Sequence, residues 1–359
     1  MSSQKQKSLE KSLDSLRETI RTRSISSLIS AKRLDVFLVS IFPQYTRSYF
    51  QHLIKQGSIT INNHLPDNHT SVKSHDIIAI EFPRVRDTGI IPEHYPLTIL
   101  LENQELLAIN KPSGILCHPT DYQGKQASTI VNFALHHTIE NRSAHNVYLA
   151  HRLDKDTSGV LLLTKTLEVQ HQIQQEFKHR RVYKEYLALV SGSFPDSFGS
   201  IDASIGHSKQ NHTKMTINYG PDAKHALSEF QVLCQYSLTE KKSISLLRIR
   251  ILTGRTHQIR VHMGSIGHPI IGDTVYGDPE LNSYIQRAFH QQRQFLHALK
   301  LKIPAAKLDI FAPLQADLAA LLKSLEPFRC QTSSTTSTPN DTWLAGLPDL
   351  NLTQQSTVM

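Results

Sequence analysis

Apolar residues between positions 31 and 83 recur first with helical and then with strand spacing. The i, i+3, i+4, i+7 spacing of an amphipathic helix is present at Leu34, Phe37, Leu38 and Ile41. Ser30 is the predicted N-cap of this helix, and Thr46 is the predicted N-cap of a second helix. The second helix ends at Gly57 and buries a face made of Phe50, Leu53 and Ile54. Residues 58–61 and 77–82 then predict two strands, with a turn at 62–63.

The pattern changes after about residue 97, where short alternating segments replace the helical spacing. Apolar residues at 147–150 and a continuous apolar run at 160–163 predict two core strands around a polar loop, 151–159. Residues 182–190 alternate and predict a further strand. Three or four helical stretches complete this second region, which extends to about 325. A reactive side chain on the loop would be held rigidly between strands and would still be exposed.

Three prolines between positions 83 and 96 interrupt both patterns and predict a linker at 84–96. We therefore predict a small domain at 31–83 and a larger one at 97–328. Residues 1–30 are interpreted as a polar extension with a weak helix at 9–20, because nothing in them indicates a packed unit. The Ser/Thr-rich tail at 329–359 has little to bury and is predicted to be disordered.

The 359 residues carry a formal charge of +8 and 20 histidines, with a pI of about 9.3. This balance favours a polyanionic partner such as nucleic acid, although a basic protein without such a partner has the same composition. Three widely spaced cysteines predict neither a disulfide framework nor a zinc ribbon. No signal peptide and no apolar run of ~20 residues is recognisable, so we expect a cytoplasmic protein that does not enter a membrane.

The polar loop at 151–159 has the sequence His-Arg-Leu-Asp-Lys-Asp-Thr-Ser-Gly and places Asp154 between a basic residue and a turn-forming segment. In an arbitrary sequence, an Arg-x-Asp loop is an ion pair that closes a turn. Here seven of the nine positions match H-R-L-D-x-x-T-S-G. The loop therefore resembles the active-site loop of the pseudouridine synthases that modify large-subunit ribosomal RNA.

Further segments resemble the same family, in the same order along the chain. Residues 111–119 resemble its K-P-x-G-x-x-x-H-P pattern, and residues 182–190 resemble its V-x-K-x-Y-x-A-x-V strand. Residues 253–262, with the sequence T-G-R-T-H-Q-I-R-V-H, match the family at every position. Residues 267–273 then follow as they do in the family. The resemblance covers about 31–325 of the chain.

The N-terminal region resembles the S4-like RNA-binding domain. The R-L-D motif of that domain is present at 33–35, and its P-x-x-S-R-S motif is present at 43–48 with a threonine in the serine position. Its L-I-x-x-G motif is present at 53–57. The resemblance implies an RNA-facing surface formed by Lys32, Arg33, Arg47, His52 and Lys55. A solvated polar face that merely keeps the domain soluble is the alternative.

Together the two resemblances imply an α+β protein. A small N-terminal α/β RNA-binding domain is followed by a pseudouridine synthase domain built on a mixed, mostly antiparallel β-sheet flanked by helices. The implied partner is large-subunit ribosomal RNA, either free or in a ribosome assembly intermediate. A monomer is expected, because no large apolar helix face is left over in the sequence pattern.

The resemblance implies three catalytic residues, Asp154, Tyr186 and Arg260. Tyr186 would stack on a base, and an arginine beside Asp154 would keep its carboxylate ionised and oriented. We interpret 253–262 as a strand, on which Arg255 and Arg260 point to opposite faces, so that only one of them reaches Asp154. The resemblance favours Arg260 for that contact and leaves Arg255 to meet phosphate or to close the loop. Supporting roles at the active site are implied for His151, Arg152, Thr157, Ile259 and Arg255.

Neither a metal nor a cofactor is expected. None of the histidines has the spacing of a metal site, and the sequence contains no G-x-G-x-x-G motif and no P-loop. Isomerisation of uridine breaks a carbon–nitrogen bond and makes a carbon–carbon bond, and it consumes no redox equivalents. An ionised Asp154 suits this reaction either as a nucleophile or as a group that stabilises positive charge on the ribose and removes a proton.

Two other functions are compatible with parts of the sequence. A non-catalytic RNA-binding or ribosome-assembly factor would have the same charge and the same N-terminal domain, but it would not need Asp154, Tyr186 and Arg260 together. A hydrolase with an aspartate nucleophile would need a second carboxylate, for which Asp156 is a weak candidate.

Overall fold

The computed structural model describes residues 21–26, 32–42, 47–67, 69–82, 90–118, 128–208, 210 and 214–330. The chain divides into two units, Met1–Ile90 and Ile91–Met359. The predicted helix at 9–20, the residues Ser30 and Thr46, and the predicted disordered tail beyond residue 330 lie outside the described residues.

The first unit is a small α/β domain in which two helices and a β-sheet share one apolar core. Its elements are β1 (Arg21–Ser26), β2 (Lys32–Arg33), α1 (Leu34–Ile41), α2 (Arg47–Lys55), β3 (Ile59–Ile61), β4 (Ser71–Val72) and β5 (Ile77–Phe82). Three antiparallel strands form a sheet in the order β1–β5–β3, and β2 pairs separately with β4. The turn predicted between β3 and β5 begins with Asn62 and Asn63, both in the left-handed conformation.

The buried faces predicted for the two helices are confirmed except at one position. The buried residues are Leu34, Phe37 and Leu38 of α1 and Phe50, Leu53 and Ile54 of α2. The prediction for Ile41 is wrong, since its side chain is 44% exposed. Helix α1 ends there, and the following Phe42 fills the core instead. Ser30 is not the N-cap, because pairing of β2 with β4 keeps the chain extended through Arg33, which holds the N-cap position.

Strand β1 was not predicted from the sequence. It pairs antiparallel with β5 over six residues, from Arg21 opposite Phe82 to Ser26 opposite Ile77. The strand lies within the segment interpreted as a polar extension. Its sequence, Arg-Thr-Arg-Ser-Ile-Ser, lacks apolar alternation, so only the free edge of β5 explains why it adopts an extended conformation.

The second unit contains the remaining elements of the described chain. They are β6 (Ile99–Glu102), β7 (Leu106–Lys111), α3 (Ile130–Glu140), β8 (Tyr148–Leu149), β9 (Ser158–Thr164), α4 (Leu167–Lys178), β10 (Tyr183–Ser191), β11 (Phe198–Asp202), β12 (Ile205–His207), β13 (Met215–Ile217), β14 (Leu227–Thr239), β15 (Lys242–Ile251), α5 (Gln258–Ser265), α6 (Pro279–Phe289), β16 (Leu296–Ile303), β17 (Leu308–Phe311) and α7 (Ala316–Leu325). Two short 3₁₀ turns, Pro304–Ala306 and Glu326–Phe328, complete them.

A ten-stranded mixed sheet organises this unit. Its main path is β11–β14–β15–β10–β16–β9–β7–β6, with β17 paired to β16 and β8 paired to β9. Among the described strand pairs of the sheet, only β9 and β16 run parallel. Helices α6 and α7 pack with β10, β14 and β15 in one apolar cluster, and α4 packs with β7, β9 and β16 in another. The predicted α+β fold, with a mostly antiparallel mixed sheet flanked by helices, is confirmed.

The strand predicted at 253–262 is wrong, because helix α5 begins within this segment at Gln258. The Gln258 side chain accepts hydrogen bonds from the Thr253 hydroxyl at 2.7 Å and from the Arg255 backbone N–H at 3.0 Å. These bonds close a turn after β15. His257, just before the helix, has a left-handed backbone with φ of 56°. A side-chain acceptor that bonds the backbone behind it is a local signal for a turn, and here it overrides the alternating pattern.

Gly159 is required where β9 passes β16. Its φ is +112°, and a Cβ added there would lie 2.2 Å from the carbonyl oxygen of Ala298 in β16. We predict that Gly159→Ala destabilises the protein by more than ~3 kcal/mol, because backbone strain and a backbone clash add. Gly114→Ala is the matched control, since Gly114 has φ of +82° but no atom within 4 Å of the added Cβ. The control should cost only about 1 kcal/mol. Equal losses for the two variants in urea unfolding would contradict the clash.

Candidate active site

Residues 150–157 form the loop between β8 and β9, so Ser158 and Gly159 of the predicted polar loop belong to β9, which is buried throughout. The backbone N–H of Thr157 donates to the carbonyl of Asp154 at 3.2 Å, which closes a turn directly after Asp154. The Thr157 hydroxyl in turn accepts from the Gln294 amide at 2.7 Å. At the start of β9, the Ser158 hydroxyl donates to His297 Nδ1 at 2.9 Å, because His297 Nε2 donates to a backbone carbonyl. Both hydroxyls thus fix the C-terminal end of the turn to the protein interior.

Two residues, one at the end of β7 and one in the segment after it, hold the other side of the loop. The buried Lys111 ammonium donates to the carbonyl of Lys155 at 2.9 Å. Burial lowers the pKa of Lys111 to about 8. The buried Cys117 thiol contacts the backbone of Leu153, with its sulfur 3.3 Å from the carbonyl oxygen and 3.4 Å from the nitrogen. The backbone on both sides of Asp154 is therefore clamped.

His151 anchors the start of the loop. Its Nε2 accepts a hydrogen bond from the backbone N–H of Leu162 in β9 at 3.1 Å, and its ring stacks on Phe177 with the centroids 5.2 Å apart. Burial, with a smaller contribution from the charge of Lys184, lowers the pKa of His151 to about 3. A neutral imidazole that accepts a backbone hydrogen bond supports the loop and does not exchange protons at neutral pH.

Asp154 pairs with an arginine that is itself fixed by a second aspartate. Arg260 Nη1 lies 3.1 Å from Asp154 Oδ2. The same guanidinium donates through Nε and Nη2 to both oxygens of Asp273, at 2.6 and 2.9 Å. The Asp273 side chain is fully buried, whereas that of Asp154 is 21% exposed. Burial alone would lower the pKa of Arg260, but Asp273 and Asp154 raise it above its ordinary range.

Tyr276 and His257 complete the surroundings of this pair. The Tyr276 ring centroid lies 5.1 Å from Arg260 Cζ, in a cation–π arrangement. The Tyr276 hydroxyl is 2.9 Å from His257 Nδ1, and His257 Nε2 is 3.9 Å from Asp154 Oδ2. Burial lowers the pKa of His257, and the nearby charges modify that shift in both directions.

Asp154 lines an open cavity of about 110 Å³. The lining residues are Arg152, Leu153, Asp154, Thr157, Tyr186, Ile251, Gly254, Arg255, Thr256, His257, Gln258, Ile259, Arg260 and Leu296. Among these residues Asp154 is the one carboxylate. Asp156, the second carboxylate that a hydrolase would need, does not line the cavity.

Two family models match the chain. The one described as RNA pseudouridylate synthase matches residues 105–265, and the one described as S4 domain matches residues 32–78. A ribosomal large subunit pseudouridine synthase D of Xylella fastidiosa is 31% identical over 327 residues, which are 87% of this chain and 94% of that protein. The chain belongs to the RNA pseudouridine synthase family. It is therefore an isomerase that acts on RNA, and the alternative of a non-catalytic factor has no support.

The chain is also similar to other pseudouridine synthases. An uncharacterized RNA pseudouridine synthase of Aquifex aeolicus is 34% identical over 250 residues, which are 68% of this chain and 77% of that protein. The solved structure of human RNA pseudouridylate synthase domain containing 1 has a TM-score of 0.52 and 27% sequence identity. That alignment covers 63% of this chain and 87% of the human chain.

The synthase fold brings the three predicted catalytic residues to one cavity. Tyr186 of β10 is 9% exposed and lines it, and burial together with the charge of Asp154 raises the pKa of its hydroxyl. Arg260 makes the contact expected with Asp154, although it does so from a helix and not from the predicted strand. Both arginines of the segment line the cavity, but Arg255 directs its Nε to the carbonyl of His225 at 3.0 Å. Arg152 is exposed at the cavity, and Ile259 is buried against it.

The predicted RNA-facing residues of the S4 domain lie on and around α2. The carboxylate of Asp35, which is fully buried, accepts hydrogen bonds from Arg47 Nε at 2.7 Å and from Arg33 Nη2 at 3.1 Å. Gln51 donates to the same carboxylate at 2.7 Å. Burial alone would raise the pKa of Asp35, but these hydrogen bonds lower it below its ordinary value. His52 and Lys55 are exposed on the same helix, and the side chain of Lys32 lies outside the described residues.

Sequence reasoning assigned no role to several residues that build the site. These residues are Lys111, His257, Asp273, Tyr276 and Gln294. Three of them stand in motifs that resemble the family, Lys111 at the start of 111–119, His257 within 253–262 and Asp273 at the end of 267–273. A buried charge inside a motif was the available signal, but its partner is distant in the chain and could not be read from spacing.

Within the described ranges, no group of three or more His, Cys, Asp or Glu side chains is placed to hold a metal ion. None of the helices in the described part of the chain has both the length and the apolar character that crossing a bilayer requires.

His297, which supports the loop through Ser158, makes stability depend on pH. Burial lowers its pKa to about 4 from an ordinary value of 6.5. The unfolded chain therefore binds a proton first as the pH falls, and stability that is complete above pH ~6.5 is lost progressively towards pH ~4. We predict that His297→Gln removes about 2 kcal/mol of the difference in unfolding free energy between pH ~7.5 and pH ~5. Identical pH dependence of wild type and variant in urea unfolding would refute this role.

Proposed function

We propose that this synthase isomerises specific uridines of large-subunit ribosomal RNA to pseudouridine and that Asp154 acts on the target nucleotide. The observation that supports this best is the partly exposed carboxylate of Asp154, held 3.1 Å from Arg260 at the wall of a cavity. The class of RNA is supported by relatives from Xylella fastidiosa and Zymomonas mobilis, both named ribosomal large subunit pseudouridine synthase D.

The two oxygens of the Asp154 carboxylate have different surroundings. Oδ2 is held by Arg260. In the described part of the chain no hydrogen bond reaches Oδ1, so this oxygen is available to the nucleotide. Either proposed role fits this asymmetry, covalent attack on the nucleotide or stabilisation of the ribose cation followed by removal of a proton. Both roles require a carboxylate, and Arg260 places a positive charge 3.1 Å from it.

The remaining cavity residues would hold the nucleotide. We propose that the Tyr186 ring stacks on the uracil, since none of the described residues hydrogen-bonds its hydroxyl and the ring lies at the cavity wall. Ile259 would contact the base from the apolar side. Arg152 and Arg255, with positive charge at the cavity, would bind phosphate groups of the flanking nucleotides. The target base must leave its stack, which costs a few kcal/mol and less in an unpaired loop.

We propose a division of labour in which residues 31–83 bind RNA and residues 97–328 carry out the reaction, with 84–96 as the linker. The RNA surface would comprise Lys32, Arg33, Arg47, His52 and Lys55. Asp35 would hold two of these arginines in a fixed orientation, which lowers the entropy cost of binding phosphate. The substrate would be free ribosomal RNA or an assembly intermediate of the ribosome.

We further propose that the enzyme works in the cytoplasm as a monomer. Three unpaired cysteines support a reducing compartment, and two of them, Cys117 and Cys234, are buried. The apolar faces of α6 and α7 are already packed in the core, which supports a single chain as the functional unit.

The assignment of Asp154 is tested with Asp154→Asn. We expect pseudouridine formation to fall roughly a thousandfold or more, because the amide cannot replace a charged carboxylate. RNA affinity should be unchanged, since Arg260 remains paired with Asp273. Asp156→Asn is the matched control in the same loop and should keep full activity. Full activity of purified Asp154→Asn on large-subunit ribosomal RNA would sink the assignment.

The role of the first unit is tested by removing residues 1–90. We expect the Kd for a ribosomal RNA fragment to rise about tenfold or more at ~0.15 M salt, and the salt dependence of binding to become shallower. All residues that line the cavity belong to the second unit, so the thermal transition of that unit should persist. Unchanged affinity in filter binding or fluorescence anisotropy would contradict this division of labour.

A further inference from the structure

His257 has a ring nitrogen that no described residue satisfies. Its Nδ1 lies 2.9 Å from the Tyr276 hydroxyl. Its Nε2 lies 3.9 Å from Asp154 Oδ2, which is too long for a hydrogen bond. The side chain is 23% exposed and lines the same cavity as Asp154. His257 Nε2 is therefore available to a substrate atom in the cavity, beside the proposed reactive carboxylate.

The hydrogen bonds of Tyr276 decide which nitrogen of His257 carries the proton. The Tyr276 hydroxyl already accepts a hydrogen bond from the backbone N–H of Met215 at 2.9 Å. Within the described residues, His257 Nδ1 is the remaining atom that can accept the phenol proton. The other tautomer would leave that proton without an acceptor and would direct the Nε2 lone pair at the Asp154 carboxylate. Both effects favour a neutral imidazole with its proton on Nε2.

The backbone conformation of His257 also indicates a functional position. His257 holds a left-handed conformation with φ of 56° directly before helix α5. A non-glycine residue in this region costs roughly 1–3 kcal/mol, and such strain is concentrated at functional sites. The conformation places the ring between the Tyr276 hydroxyl and Asp154.

We propose that His257 donates a hydrogen bond from Nε2 to an oxygen of the target uridine, the one that lies beside the Asp154 carboxylate. Tyr276 is then a positioning residue, because its hydroxyl fixes the imidazole tautomer while its ring lies over Arg260. The proposal rests on the proposed function, in which Asp154 acts on that nucleotide. The oxygen is either the ribose 2′-hydroxyl or one of the two uracil carbonyls, and all three accept a hydrogen bond.

The first test compares two substitutions with the same backbone strain. His257→Ala removes the donor, whereas the amide of His257→Gln restores an N–H near the position of Nε2. We expect the single-turnover rate to fall about 100-fold for alanine and less than about tenfold for glutamine, with an unchanged Kd for RNA in both. A rate within twofold of wild type for alanine, or an equal loss for glutamine, would overturn the proposal.

The pH dependence of the rate gives an independent readout. The charged or titratable groups that face His257 are Asp154, Arg260, Asp273, Arg152 and Tyr276. Burial lowers the pKa of His257 below its ordinary value of 6.5, so the neutral form is present at pH 7. Below that pKa an imidazolium would pair with Asp154, and the rate should fall. In His257→Gln this acid limb should move to lower pH, and an acid limb at the wild-type position would count against the donor.

Tyr276→Phe serves if either His257 variant fails to fold. It keeps the ring over Arg260 and removes only the hydroxyl. The rate should fall about tenfold at an unchanged KM, whereas Tyr219→Phe, a change at a tyrosine that is 79% exposed, should have no effect. An unchanged rate for Tyr276→Phe would refute its positioning role and the tautomer that depends on it.

Substrate analogues identify the oxygen. The target uridine is replaced by 2′-deoxyuridine, 2-thiouridine or 4-thiouridine in a ribosomal RNA fragment, and each is assayed with wild type and His257→Ala. One replacement should slow the wild type and have little further effect on the variant, because both changes remove the same bond. Additive losses for all three would overturn the proposal. Asp154→Asn is assayed in parallel. If Asp154→Asn is active, the proposed function itself is wrong. If Asp154→Asn is inactive and His257→Ala is fully active, only the proposed role of His257 is wrong.

Discussion

The active site depends on one guanidinium that is held by a buried carboxylate before any substrate arrives. Arg260 uses Nε and Nη2 for Asp273 and keeps Nη1 for Asp154. Because the two-pronged contact fixes the plane of the arginine, the direction in which Nη1 points is fixed as well. The carboxylate of Asp154 is partly exposed. It meets in Arg260 a charged partner that does not have to reorganise. Tyr276 covers the face of the same guanidinium and prevents it from rotating away.

The loop that carries Asp154 is also fixed before substrate binds. Its backbone is bonded by a buried lysine and a buried thiol on one side and by hydroxyl contacts to Gln294 and His297 on the other. All four contacts are made to backbone atoms or to the hydroxyls of Thr157 and Ser158. The Asp154 carboxylate therefore takes no part in holding the loop, and its partner is Arg260. A rigid backbone beneath one unencumbered acidic group suits a reaction in which bonds to a single ribose carbon must be broken and remade.

In both units a buried aspartate fixes the orientation of arginine side chains. In the first unit a buried aspartate, Asp35, fixes Arg33 and Arg47 at the protein surface. In the second unit a buried aspartate, Asp273, fixes Arg260 at a cavity. In each case the buried charge is compensated by several donors, which makes its burial tolerable. In each case an arginine is presented in one orientation to an anionic group, a phosphate in the proposed RNA contacts and Asp154 in the active site.

The sequence by itself determined the apolar faces of the first domain, the buried strand after the loop, the α+β class and the identity of Asp154, Tyr186 and Arg260 as candidates. The apolar faces and the buried strand depend on local periodicity, whereas the fold class and the three candidates follow from contiguous motifs that resemble a known family. Only the tertiary structure decided that Arg255 faces a backbone carbonyl, that 253–262 turns into a helix, that residues 21–26 add a strand, and that Asp273, His257 and Lys111 belong to the site. The physical reason is that a buried charge or a free sheet edge is satisfied by a partner distant in the chain, and spacing along the sequence carries no information about that distance.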